Sequence, residues 1–352
     1  MAGPMRVALL GCGRLGREVM LPLLAARPDV TVVAAADADP AAAAAARAAF
    51  PGASIQPDWR QVLDAGDLDA AVVALPTALH AEAARAVLRR GVAAYLEKPL
   101  CATLAEAVEI RDLWRRAPAT IAVGFNGRFH PLVLALRDRL AGSGIGAPRV
   151  VRCSFTTAAR HDGTWRHPAR DGGGVLLDLA SHHVDLVRYL LGAEFVSVAA
   201  TRTLAGAGEA VAAACELDNG AVVSATWASA TVDEDVIEVV GDDGAVRISR
   251  YEDLAPVSRG RAVPGAAARA ARLVPTGARL AAARDKRRAP WHDPSFAAAL
   301  AAFFDAAAAR TPASPGVEDG WHSLRVVDAL AEAAATGRRI ALARAEAPAH
   351  VI

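Results

Sequence analysis

The stretch Val7-Ala8-Leu9-Leu10-Gly11-Cys12-Gly13-Arg14-Leu15-Gly16 constrains the fold more than any other part of the chain. An apolar run that reads as a buried strand ends at Gly11, and a helical pattern begins at Arg14. A glycine at 11 permits a tight strand-to-helix turn. One at 13 lets the backbone approach a pyrophosphate, and one at 16 lets helix and strand pack closely. The phosphates then sit on the free N–H groups that open the helix. A second apolar run, Val30 to Ala36, ends at Asp37, about twenty residues beyond the loop, where a carboxylate accepts ribose hydroxyls. This is the layout of a dinucleotide-binding βαβ unit. Asp37 repels a 2′-phosphate, so NAD(H) is expected over NADP(H). Cys12 reads as a small residue tolerated in the loop, without a redox role.

A chain of 352 residues exceeds a typical single core, so two domains are expected. Net charge is +1, which gives no case for nucleic acid or a membrane surface as partner. No apolar run approaches the roughly 18–20 residues of a membrane helix. The few residues before the first strand leave no room for a secretory signal. Cys12, Cys101, Cys153 and Cys215 lie far apart and form no CxxC. A cytoplasmic protein without a disulfide framework or structural zinc is expected.

From residue 5 to about 125, short apolar runs alternate with helical patterns. Strands are expected over Val30–Ala36, Ala70–Leu75, Val92–Leu96 and Ile121–Gly124. Helices are expected over Arg14–Ala26, Pro40–Phe50, Ala78–Arg90 and Thr103–Arg116. Such alternation builds a doubly wound parallel sheet, a Rossmann domain over 1–125. Thr103 and Glu106 form a capping box. The second domain, 126–352, reads as α+β on a large, mostly antiparallel open sheet, with its final segment able to pack back on the first. Its strands cover Arg149–Thr156, Val196–Leu204, Ala210–Leu217, Ala221–Ala228, Asp235–Val240 and Ala245–Arg250, with turns such as Asp218-Asn219-Gly220. Val222, Ala225 and Trp227 are too apolar to face water alone and mark an oligomer face, dimeric or tetrameric. The basic stretch 255–293 reads as a solvated excursion or subunit contact, with a site for an anionic substrate group as the alternative.

Two places carry chemistry. Glu97-Lys98-Pro99 follows the strand Val92–Leu96, so Lys98 stands at the C-terminal edge of a parallel sheet, where α/β folds bind ligands. The second is Gly172-Gly173-Gly174-Val175-Leu176-Leu177-Asp178-Leu179-Ala180-Ser181-His182-His183-Val184-Asp185, the start of a helix running to Leu191. Regular α spacing puts Asp178, His182 and Asp185 on one stripe and turns His183 about 100° away from His182, where its loss should be mild. A histidine is the natural base near neutral pH, and a carboxylate beside it can orient it. The three glycines leave room for a substrate at the helix N-terminus. A plain surface His-His pair is the alternative, and the phase of His183 disfavours a metal site.

These motifs, in order, resemble the Gfo/Idh/MocA family of glucose–fructose oxidoreductase and inositol dehydrogenase. They are Gly11-x-Gly13-x-x-Gly16, Pro76-Thr77-x-x-His80, Glu97-Lys98-Pro99, Gly124-Phe125-Asn126-x-Arg128-Phe129, Gly172-Gly173-Gly174-x-x-x-Asp178-x-x-x-His182 and the closing Gly337-Arg338-Arg339-Ile340. The resemblance implies catalytic Lys98, Asp178 and His182, and a cis Lys98–Pro99 peptide. It implies an NAD site of Gly11, Gly13, Arg14, Leu15, Gly16, Asp37, Leu75, Pro76, Thr77, His80, Glu97, Lys98 and Asn126. It implies substrate contacts from Lys98, Arg128, Trp165, Arg166, Asp178 and His182, and no metal. Ala180 and Gly127 depart from the usual Gly and Arg. The implied activity is NAD-dependent hydride transfer to or from a polyol, inositol or sugar. The rivals are an NAD-retaining glycosidase or lyase and a dinucleotide-sensing regulator.

Overall fold

The computed structural model describes residues 3–64, 67–142, 144–158, 174–205, 208–260 and 293–343. The chain divides into two compact units, Met1–Phe125 with Phe296–Leu324, and Asn126–Ser295 with Arg325–Ile352.

The first unit holds β1 (Met5–Leu10), β2 (Val30–Ala36), β3 (Ser54–Gln56), β4 (Ala70–Val73), β5 (Ala93–Leu96) and β6 (Ile121–Val123). All pair in parallel, in the order β3-β2-β1-β4-β5-β6. Val7–Leu10 and Ala70–Val73 are fully buried, which is why both read as unbroken apolar runs. The strand order reverses between β1 and β4, and ligands of such sheets bind outside the strand ends there. The helix after β1 is wound as a π turn over Gly16–Met20 before α1 (Leu21–Ala25). Next come α2 (Pro40–Ala49), α3 (Trp59–Asp64), α4 (His80–Arg90) and α5 (Leu104–Arg116). The Thr103–Glu106 capping box opens α5 as expected, and the Asp39 side chain caps α2 through Ala41 N–H. The short β3 and α3 go beyond what the sequence pattern predicts, because neither is long enough to show a period.

The second unit is built on β7 (Pro148–Ala158), β8 (Phe195–Ala205), β9 (Gly208–Leu217), β10 (Val222–Thr231), β11 (Glu234–Gly241), β12 (Gly244–Ser249), β13 (Val257–Gly260) and β14 (Ile340–Ala341). Their order is β13-β12-β11-β7-β10-β9-β8-β14. Every pairing is antiparallel except β7 with β10. The Asp218-Asn219-Gly220 turn joins β9 to β10, with Gly220 at φ 83°. Strand alternation sends Val211, Ala213, Cys215, Val223, Ala225 and Trp227 inward, and Ala212, Ala214, Val222, Ser224 and Thr226 outward. The outer face therefore carries Val222 but neither Ala225 nor Trp227, which belong to the core. Two helices flank β7 in the chain: α6 (Pro131–Ala141) before it, and α7 (Ser181–Leu191), preceded by a π turn over Leu176–Ala180, after it.

Last come α8 (Ser295–Ala309) and α9 (Val317–Thr336). Residues 296–324, part of the 126–352 span whose final segment is expected to be able to pack back on the first domain, group with the first unit. Phe303 lies edge-on to Tyr95 of β5 at 5.9 Å, and the Arg27 guanidinium lies 4.8 Å over Phe304. Gly337 (φ 69°) then turns the chain into β14, as its closing motif implies. Among the described residues, no helix is long and apolar enough to cross a membrane. Most of the basic 255–293 stretch, residues 261–292, lies outside the described residues.

Candidate active site

The glycine loop in the first unit has the geometry its sequence demands. Gly11 sits at φ 93°, and a Cβ there would come within 2.5 Å of the Ala74 carbonyl oxygen. A Cβ on Gly16 would come within 2.7 Å of the Gly11 carbonyl oxygen. Nothing lies within 4 Å of a Cβ built on exposed Gly13, so the space over the loop is open where a pyrophosphate fits. Asp37, at the end of β2, accepts from Cys12 N–H at 2.7 Å and Asp39 N–H at 2.8 Å. Its carboxylate is thereby fixed beside the loop, as a ribose-binding acid requires. Burial, with the Asp37 charge, pushes the Cys12 thiol up to about 12, which leaves it inert. Arg14 is exposed and pairs with Glu18, and Leu15 is half-buried.

Leu75, Pro76 and Thr77 leave the end of β4, and Lys98 leaves the end of β5. His80 joins the two segments: Nδ1 lies 2.7 Å from the Pro99 carbonyl oxygen and Nε2 lies 2.8 Å from that of Leu75. Both ring nitrogens thus face protein carbonyls, so His80 is a buried strut where sequence alone expects a cofactor contact. Burial holds its pKa below the usual histidine value. The Lys98–Pro99 peptide is cis, and Lys98 is half-buried. Glu97 is buried, its Oε2 accepting from Lys98 N–H at 3.3 Å. Desolvation pushes its carboxyl up to about 7. Gly124 closes over it, with room for a Cβ no nearer than 3.0 Å to the Glu97 carboxylate.

In the second unit, Asp178 and His182 stand apart. From 174 to 187 every residue is buried except these two, which are half-exposed. Asp178 lies in the π turn and His182 in the first turn of α7. Such turns recur at functional sites. Asp185 does not join them as expected. It is fully buried and takes a two-pronged contact from Arg128, at 2.8 Å from Nε and 2.6 Å from Nη2. Arg128, expected to reach substrate, is itself 6% exposed and engaged by that pair. His183 is not peripheral either: it is 1% exposed, with Nε2 3.1 Å from Asp235 Oδ1. Asn126, expected at the cofactor, is buried and donates to Ser295 Oγ at 2.8 Å.

The space over Gly174 is not open to a substrate as the glycine run suggests. Gly174 sits at φ 62°, and the Glu209 carboxylate of β9 occupies the position of its missing Cβ. Glu209 accepts from Val175 N–H at 2.8 Å, so an internal anion fills the start of the helix. Trp165, Arg166, Gly172 and Gly173 lie outside the described residues. Glu209 and Asp235 escaped sequence reading although a signal exists. Each carries a charge at an inward position of an alternating strand, Glu209 in phase with Val211 and Ala213, Asp235 with Ile237 and Val239.

Comparison with known proteins agrees with this layout. Residues 5–125 match the family model for the GFO/IDH/MocA oxidoreductases, NAD-binding Rossmann fold, and residues 133–247 match that family's C-terminal domain. The chain is 28% identical over 355 residues to inositol 2-dehydrogenase of Rhizobium meliloti strain 1021, covering 96% of this chain and 99% of that one. It is 34% identical over 188 residues to dTDP-3,4-didehydro-2,6-dideoxy-alpha-D-glucose 3-reductase of Streptomyces antibioticus, covering 53% and 57%. The match thus spans little more than half the length of that reductase. The fold is also that of the WlbA dehydrogenase of Bordetella pertussis, solved in complex with NADH and UDP-GlcNAcA, at TM-score 0.82 and 23% identity over 97% of this chain and 99% of that one.

Proposed function

The chain belongs to the Gfo/Idh/MocA oxidoreductase family, and from that premise we propose that it is an NAD-dependent oxidoreductase. It moves hydride between nicotinamide and a secondary alcohol or ketone of a polyol, inositol or sugar, nucleotide-linked sugars included. The observation that carries this reading is the half-exposed Asp178–His182 pair on an otherwise buried helix segment. NAD, when bound, supplies the hydride acceptor. Gly11, Gly13 and Gly16 admit its pyrophosphate, and Asp37 takes the ribose hydroxyls. His182 accepts the hydroxyl proton of the substrate, Lys98 stabilises the developing alkoxide, and Asp178 orients the reacting hydroxyl. Trp165 and Arg166 are proposed to contact substrate. Arg128 is left out of that set because Asp185 engages it.

The test is a panel of inositols, free sugars and nucleotide-linked sugars, each with NAD, read by NADH fluorescence. Turnover on none of them, in either direction, would sink the reading. The proposal extends to setting and assembly. The four free, buried cysteines suit a reducing cytoplasm. The exposed outer sheet face of small side chains, Ala212, Ala214, Val222, Ser224 and Thr226, suits a homodimer or homotetramer interface. Light scattering that finds only monomer at micromolar concentration would refute that assembly.

A further inference from the structure

The helix that presents Asp178 and His182 departs from regular winding just before His182. Residues 176–180 form a π turn, which holds one more residue than an α turn. Losing that extra residue's worth of winding would swing His182 by about 100° relative to the segment before it. A rare winding persists where its surroundings over-determine it. Here the first turn beyond the π segment is held by buried charge on two sides. Arg128 grips Asp185. On the other side His183 lies 3.1 Å from Asp235, whose second oxygen lies 3.1 Å from Arg250 Nη1. Arg250 Nη2 lies 2.9 Å from Asp293. Asp293 accepts from Ser295 N–H at 2.9 Å, at the start of α8.

We propose that His183, Asp235 and Arg250 are positioning residues: the buried chain Asp293–Arg250–Asp235–His183 fixes the rotation of the π-turned helix and so aims the His182 ring. The function of that aim rests on the reading of His182 as proton acceptor. A carboxylate only accepts, so His183 carries its proton on Nε2 and donates to Asp235. Arg250 bridges two carboxylates with its fork, a role that its planar, permanently charged group suits. Among the described residues, the charged or titratable groups bearing on Asp235 include Arg250, His183, His130 and Cys153, and those bearing on Asp293 include Arg250 and His130. Burial alone would raise the Asp235 carboxyl, but Arg250, His183 and His130 together outweigh it and hold the group below the ordinary carboxylate value. The Phe155 ring transmits position from one histidine to the next, with its centroid 5.4 Å from that of His183 and 5.9 Å from that of His182.

Asp235→Asn tests this, because it keeps the shape and removes the charge. The expected result is a folded protein that binds NADH as the wild type does. Its kcat is lowered about 10- to 100-fold, the size of effect seen when the outer partner of a metal-ligating histidine is removed, with little change in KM. The limb of the pH profile that reports His182 moves, and the ¹⁵N resonances of the His182 ring shift. A folded variant with wild-type kcat and unshifted His182 resonances overturns the proposal. Where the variant does not fold, ¹⁵N spectra of the wild-type enzyme decide. An Nε2-protonated His183 with a slowly exchanging ring proton upholds the chain, and an Nδ1-protonated or rapidly exchanging one overturns it. His182→Ala is measured alongside. Full activity there would remove the role given to His182, while the His182 resonances of Asp235→Asn still report whether the chain aims the ring.

Discussion

Replacing Arg128 by methionine should destabilise the second unit far more than it harms substrate binding. Asp185 is 0% exposed and Arg128 6% exposed, with two nitrogens on two oxygens at 2.6 and 2.8 Å. Removing one member of so buried a pair strands a charge and costs about 3–5 kcal/mol. For a unit of this size 1 kcal/mol moves the melting temperature by about 2–4 °C, so a drop of roughly 10 °C is expected. The double variant Arg128→Met with Asp185→Leu removes both charges and fills the space with apolar atoms. It should recover most of the loss, because replacing a whole buried pair is often neutral. Scanning calorimetry is the assay of choice, since two units can melt separately. A single variant that melts within about 2 °C of wild type, or a double variant no better than the single, would refute the reasoning. So would an unshifted melt accompanied by lost substrate affinity, which would return Arg128 to the substrate.

Three further outcomes are expected. NAD(H) should bind at least about tenfold tighter than NADP(H), and Asp37→Ser with Ala38→Arg should narrow or reverse the gap, read by fluorescence titration of each nucleotide. His182→Ala should lower kcat by about 10²–10⁴-fold, and Lys98→Ala by a comparable factor, with NAD affinity little changed for the former in steady-state kinetics and binding assays. Glu97 is held protonated to about 7 in the fold against 4.5 in the free chain. The folded state therefore binds more protons between those values, so stability should fall as pH rises across that window and level off above it. Glu97→Gln should flatten that slope in melts taken across the range, and an unchanged slope would place the titration elsewhere.

What could be read in advance was whatever local spacing dictates. The glycine loop, the Thr103–Glu106 box and the Asn219-Gly220 hairpin each depend on residues within a few positions of one another. The glycine loop and Asp37 were legible because a βαβ unit fixes their separation. What escaped depends on distant partners. Arg128 and Asp185 are 57 residues apart, and His183 and Asp235 are 52 apart, so no spacing announces either pair. The parallel pairing of β7 with β10 is likewise non-local. The stripe of Asp178, His182 and Asp185 breaks at Asp185, which turns inward to Arg128, a partner that helical spacing does not announce. The motif gives the position of His80, and only the fold shows that its two ring nitrogens lie against the carbonyls of Pro99 and Leu75.

Gly174 and Glu209 carry a lesson about how this enzyme can change. The glycine holds a left-handed backbone that a side chain resists, and the carboxylate fills the volume that a side chain would need. Any residue other than glycine at 174 meets Glu209 first. Shortening Glu209 alone removes the acceptor for Val175 N–H and leaves Arg202, now paired with it at 2.7 Å, without that anion. Neither position can drift by itself without loss, so an evolutionary path through either must take both steps nearly together. Descendants of this chain should therefore keep or lose the two as a unit, and a library randomised at 174 alone should return glycine.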